Sequence, residues 1–155
     1  MTVIRPAGKP DLAGFLSLAA EVEHWFGPMA ADPGFAAAVE RGIARSTALV
    51  AQTASGNLLG ALLFGGNAPL HKVHWLVVTE RSRGRGVGRA LLTEALHRFV
   101  RPPATVEVVT FGPDHPGALT SGARVFYERL GFTPAEPTAP GPEGGSRQVY
   151  RRVLT

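Results

Sequence analysis

The chain has no cysteine, and that absence removes a good deal of chemistry. There is no disulfide framework, no thiolate metal site and no cysteine nucleophile. Long apolar runs are missing too. Polar or glycine residues interrupt each one well short of the roughly 20 residues that span a bilayer. The opening stretch "MTVIRPAGKPDL" has no apolar segment of signal-peptide type. A cytoplasmic protein without a membrane partner is the expectation. Lysine is scarce: it stands only at Lys9 and Lys72, so fourteen of the sixteen basic residues are arginine. Ala, Gly and Pro are abundant alongside, a pattern of base-composition bias. The net charge of +4 therefore makes nucleic acid an unlikely partner. What remains is 155 residues, 45% hydrophobic and 18% charged, enough for one domain over 1–155 with a real core.

Along that domain the elements alternate. "TVIRPA" reads as a short strand. "KPDLAGFLSLAAEVEHWF" reads as one helix with Leu12, Phe15, Leu16, Ala19 and Val22 on a stripe. "DPGFAAAVERGIAR" predicts a second, shorter helix. "TALVAQT" and "LLGALLFGG" form a hairpin with Gly56 and Asn57 at the turn, and "HKVHWLVVTE" is a central strand. The next helix sets Val87, Leu91, Ala95 and Phe99 on one face. "ATVEVVTF" is a strand and "ALTSGARVFYERLG" a helix ended by Gly131. The Pro/Gly-rich segment 134–146 is expected as an exposed loop before a last strand. The class is α/β, with a central mixed sheet and about four helices.

Between strand and helix lies "RSRGRGVGR", with Arg81, Arg83, Arg85 and Arg89 around Gly84, Gly86 and Gly88. A helix start leaves backbone N–H groups without internal partners, and its dipole adds partial positive charge. The glycines let an anion approach the backbone, and the arginines surround it with charge. That suits a phosphate or pyrophosphate. No lysine completes a Walker loop, and the glycine spacing is wrong for a dinucleotide fingerprint.

The remaining pattern, Arg83-x-x-Gly86-x-Gly88, resembles the acetyl-CoA pyrophosphate loop of the GNAT superfamily of N-acetyltransferases. "ARVFYERLGF" resembles that superfamily's A-x-x-F-Y-x-x-x-G-F helix, and the element order agrees over the whole chain. The resemblance implies a GNAT-like fold, mostly antiparallel, with acetyl-CoA as co-substrate between strands that splay near Val78. It implies that main-chain groups of Leu76, Val77 and Val78 pair with the pantetheine arm. Arg83, Gly84, Arg85, Gly86, Val87, Gly88 and Arg89 would hold the pyrophosphate. Thr120 stands where many members carry an asparagine that meets the cofactor. Tyr127 is the implied acid for the departing thiolate, since a tyrosine at a pKa of roughly 10 keeps its proton at neutral pH.

His74 is two residues before Leu76, so strand alternation puts it on the face of Leu76 and Val78, and its ordinary pKa suits a base. His115, in "GPDHPG", is a weaker candidate for the same task. Glu23, His24, Trp25 and Phe26 end the first helix, where related enzymes build the acceptor site. The expected acceptor is a small-molecule or peptide amine. The resemblance also points to a homodimer, with the Val149–Tyr150 strand as sheet edge. Two other classes stay open: a CoA-binding sensor without turnover, and a basic nucleic-acid binder.

Overall fold

The computed structural model describes residues 2–155; the side chains of Phe26, Leu119 and Thr120 lie outside that description. Seven strands form one sheet: β1 (Thr2–Pro6), β2 (Ala48–Thr53), β3 (Leu58–Asn67), β4 (Leu70–Val78), β5 (Ala104–Phe111), β6 (Thr133–Thr138) and β7 (Arg147–Leu154). Their order is β1-β2-β3-β4-β5-β7-β6. Among the described residues only β4 and β5 run parallel. Six helices accompany them: α1 (Leu12–Glu21), α2 (Glu23–Phe26), α3 (Pro33–Ala44), α4 (Val87–Phe99), α5 (Pro116–Thr120) and α6 (Ala123–Arg129). No helix of the described residues is long and apolar enough to cross a membrane.

Both faces of β2 are packed over Ala48 to Ala51, which is why those four residues read as an unbroken apolar run. Leu49 and Ala51 join the core under α4, built on Leu91, Leu92 and Ala95. Ala48 and Val50 join the core under α1 and α3, built on Phe15, Leu18, Ala19 and Val39. Leu91 is fully buried, so its truncation to Ala costs about 2–5 kcal/mol.

Four expectations need correction. The first helix is not continuous: Val22 leaves helical geometry at φ −112° and ψ 11°, α2 adds one turn, and Gly27 ends it at φ 88°. The buried stripe is Phe15, Leu18, Ala19 and Val22, with Leu16 only half-buried. At 12 residues, α3 is longer than α1 at 10, with Asp32 capping its start by accepting from the Gly34 N–H at 2.9 Å. The "ALTSGARVFYERLG" helix divides at Gly122, whose φ of 69° is left-handed.

The fourth correction moves the sheet edge. Segment 134–146 is not all loop, because β6 takes its first part and pairs with β7. β7 therefore lies between β5 and β6, with Tyr150 fully buried. Pro134 and Pro137 lack N–H donors, so a strand that contains them belongs at an edge. Strand-to-strand assembly at this end of the sheet would use β6, which its prolines blunt.

Candidate active site

The parallel pairing of β4 and β5 stops early. It runs from Leu70↔Thr105 to Val73↔Val108, although β4 continues to Val78 and β5 to Phe111. The strands thus part after Val73, below the Val78 level expected from the sequence. Above that point, the ladder to β3 decides where the main-chain groups of β4 aim. Thr79 N–H donates to Leu59 O at 2.9 Å. With Val77 opposite Ala61 and Val78 opposite Gly60, alternation turns the Thr79 and Val77 groups toward β3. Leu76 and Val78 then aim their N–H and C=O groups into the gap. Val77 instead buries its side chain in the α1–α3 core.

The loop after β4 forms a wall of this gap. Thr79 Oγ1 donates to Ser82 Oγ at 2.8 Å, folding the chain into a short turn over Glu80–Ser82. Gly84 at φ 74° and Gly86 at φ 82° take left-handed conformations that a side chain would strain. Gly86 is the N-cap of α4, and the first bond of the helix runs from Ala90 N–H to Gly86 O at 3.0 Å. The N–H groups of Val87, Gly88 and Arg89 precede that bond, so the helix itself leaves them unpaired. A Cβ on Gly88 would lie 3.2 Å from the Phe126 ring and 3.5 Å from Val78. Glycine there lets α6 approach the start of α4.

Strand edge, loop and α6 enclose one cleft of about 740 Å³. Leu76, Val77, Val78, Arg83, Gly84, Gly86, Val87, Gly88 and Arg89 line it, as does Tyr127. Arg85 and Arg81 are exposed and do not. Tyr127 is 6% exposed and packs among Phe126, Phe132 and Tyr150, with ring centroids at 5.0, 5.6 and 6.5 Å. Burial pushes its pKa above the ordinary tyrosine range, so the hydroxyl keeps its proton at neutral pH. Tyr127 is the deeper of the two α6 aromatics, and Phe126 is the partly buried one.

Residues 44–134 match the family described as "Acetyltransferase (GNAT) domain". The chain belongs to the GNAT acetyltransferase family. Solved structures agree in fold. The PaiA N-acetyltransferase of Thermoplasma acidophilum, solved in complex with coenzyme A, is 17% identical over 99% of each chain, with a TM-score of 0.76. A GNAT acetyltransferase of Bacillus cereus is 14% identical over 100% of this chain and 99% of its own, at 0.75. The ribosomal-protein-S18-alanine N-acetyltransferase of Escherichia coli is 20% identical over 100% and 95%, at 0.73. No curated protein matches the chain.

The residues expected at an acceptor site, Glu23 to Phe26, do not share one setting. Trp25 lines the cleft, and the Arg83 guanidinium stacks over its ring at 4.4 Å. Trp25 is thus tied to the anion loop. Glu23 turns back on its own loop, with Oε1 accepting from Ala30 N–H at 3.4 Å. His24 is exposed, its ring 4.3 Å from that of Trp25. The side chains of Phe26 and Thr120 fall outside the described residues.

His74 is not on the face of Leu76 and Val78. The register slips between Leu63↔Trp75 and Phe64↔Val73, making His74 the extra residue of a β-bulge. The bulge breaks the alternation, and the His74 ring lies over Gly65, on the α1–α3 side. Partial burial, then the charges of Lys72 and Arg41, hold its pKa below the ordinary histidine value. His115 is occupied at both nitrogens: Nδ1 accepts from Gly117 N–H at 2.7 Å, and Nε2 donates to Glu143 Oε1 at 3.1 Å. Both contacts tie the ring to its own loop and to Glu143.

The sequence reading missed Val22, Ser121, Gly122, Ala123 and Arg129 in the cleft wall. Gly122 was the available signal, as a glycine inside an otherwise helical run next to the A-x-x-F-Y motif.

Proposed function

We propose that this GNAT protein transfers the acetyl group of acetyl-CoA to a primary amine, by direct attack in a ternary complex. One observation carries the reading. The unpaired groups of Leu76 and Val78, the open N-terminus of α4 and the Tyr127 side chain all face a single cleft. The N–H groups of Val87, Gly88 and Arg89, with Arg83 and Arg89 charged beside them, suit a pyrophosphate. Gly84, Gly86 and Gly88 leave the backbone accessible to it. The free edge of β4 suits the amides of a pantetheine arm, which would complete the ladder that β5 abandons.

In this reading the amine nitrogen attacks the thioester carbonyl carbon. A Leu76 or Val78 N–H donates to the carbonyl oxygen as negative charge gathers there. The N–C bond forms and the C–S bond breaks, with its electron pair leaving on sulfur. Tyr127 gives its proton to that sulfur and regains one from solvent. The amine loses its proton to water or to neutral His74. The chain holds no cysteine, so no cysteine acyl-enzyme can form.

The test is release of free CoA thiol from acetyl-CoA with a panel of amines, beside calorimetric binding of acetyl-CoA. Turnover with at least one amine supports transfer. Tight binding without amine-dependent thiol release would replace the enzyme by a CoA-binding module.

A further inference from the structure

Half of one sheet face is left bare. The core under α1 and α3 takes residues from β2, β3 and β4 and, among the described residues, none from β5, β6 or β7. Val73, Val106, Val108 and Tyr150 point into the core under α4 on the opposite face. Alternation therefore turns Leu70, Lys72, Thr105, Glu107, Val109, Val149, Arg151 and Val153 to the bare side. Three of the five large apolar side chains that the described chain leaves exposed stand there: Val153 at 65%, Val109 at 53% and Leu70 at 38%. Apolar side chains grouped in this way on one surface mark a contact with another molecule.

Cross-strand register arranges these residues in rows. Leu70, Thr105 and Val153 are neighbours across β4, β5 and β7, and so are Lys72, Glu107 and Arg151. Val109 and Val149 form the row beyond. Arg151 Nε donates to Glu107 Oε2 at 2.7 Å, and Arg151 Nη2 donates to Glu136 Oε1 at 2.7 Å, so Glu136 of β6 extends the middle row. Lys72, at the other end, forms no ion pair among the described residues. From β4 to β6 the middle row thus reads plus, minus, plus, minus, with apolar residues on both sides of it. The charges sum to zero, so the row selects no anion or cation. Turned end for end, however, it carries the opposite sign at every position.

We propose that this face packs against the same face of a second copy, about a two-fold axis that lies between β5 and β7 and runs along the strands. Rotation about that axis lays β5 over the partner's β7 and β4 over the partner's β6. Lys72 then meets the partner's Glu136, and Glu107 meets the partner's Arg151, each contact occurring twice. Val109 meets the partner's Val149, and Thr105 meets the partner's Val153. Opposite charges and apolar rows coincide in this one setting, with the strands aligned as in packed sheets. An axis along the charged row would instead set each charge against itself. The sheet edge takes no part, since Pro134 and Pro137 blunt β6. This pairing does not depend on acetyl transfer, and it moves the expected homodimer from a strand edge to a sheet face.

Sedimentation velocity of the full chain from about 1 to about 100 µM tests it, a range that covers the micromolar dissociation constants of weaker interfaces. Wild type should shift to twice the chain mass as concentration rises. Lys72→Glu sets a like charge against the partner's Glu136 at both ends of the row, and Glu136→Lys does the same against the partner's Lys72. Each should raise the dimer dissociation constant at least ~10-fold. The two variants mixed should associate with each other, because opposite charges then meet at both ends. The Lys72→Glu/Glu136→Lys double variant should dimerise alone for the same reason. Val109→Asp, at an exposed position, should weaken the pair as much through the apolar row. Cooperative thermal unfolding checks that each variant is folded. A monomer throughout the range would overturn the proposal and leave the face to a different partner. So would a dimer that these substitutions leave intact, or single charge variants that stay apart when mixed.

Discussion

Replacing Gly86 by Glu tests the anion loop without breaking the fold. Gly86 has a φ of 82°, and a Cβ there meets no atom within 4 Å. The substitution therefore costs only left-handed backbone strain, about 1–2 kcal/mol. The free protein partly recovers this, because an acid near a helix N-terminus is worth about 0.3–1 kcal/mol. The folded state should survive. With ligand present the sign reverses. A carboxylate about 4 Å from a phosphate charge is opposed by about 4 kcal/mol at an effective dielectric constant near 20. Solvent and side-chain movement reduce that, so the working figure is a loss of at least ~100-fold in acetyl-CoA affinity, or about 2.7 kcal/mol. Gly86→Ala keeps the strain and omits the charge, and should lose far less. Calorimetry at two salt concentrations decides it, with the Glu-to-Ala difference shrinking at the higher one. Unchanged affinity in a folded Gly86→Glu protein would refute the placement of the pyrophosphate on α4.

Three other outcomes concern Tyr127, His74 and Trp25. Tyr127→Phe keeps the ring among Phe126, Phe132 and Tyr150, so kcat should fall by at least ~100-fold with acetyl-CoA affinity nearly unchanged; a kcat within a few-fold of wild type removes the acid role. Because the folded state disfavours protonated His74, the neutral base persists as pH falls, and an acid limb of kcat/KM due to His74 should lie below about 6.5. Lys72→Glu should move that limb upward, and a limb unmoved by both Lys72→Glu and His74→Ala belongs to another group. Trp25→Ala should weaken CoA binding about 2- to 5-fold by freeing Arg83, and should add nothing in an Arg83→Ala background; additive losses would mean that Trp25 acts elsewhere.

The candidate cleft was legible where local chemistry decides it. Arg83, Gly86 and Gly88, between a strand and an amphipathic helix, line it, and so does Tyr127, which the motif around it singles out. Strand alternation failed at His74 because a bulge is a property of two paired strands, and β4 alone does not reveal where it slips against β3. The edge was misplaced for a similar reason. Pro134 and Pro137 argued against a strand, yet they forbid only a central one, and their presence moves Tyr150 inward. The contact of Trp25 with Arg83 was not legible, because it spans 58 residues of chain.

The central claim is that this cleft carries out acetyl transfer, not cofactor binding alone. The most direct measurement follows CoA thiol release and acceptor mass together, with acetyl-CoA and a panel of primary amines. The account predicts one N-acetylated product for each thiol released, lost in Tyr127→Phe protein that still binds acetyl-CoA. Saturable acetyl-CoA binding with thiol release no faster than spontaneous hydrolysis, for all amines offered, would contradict it.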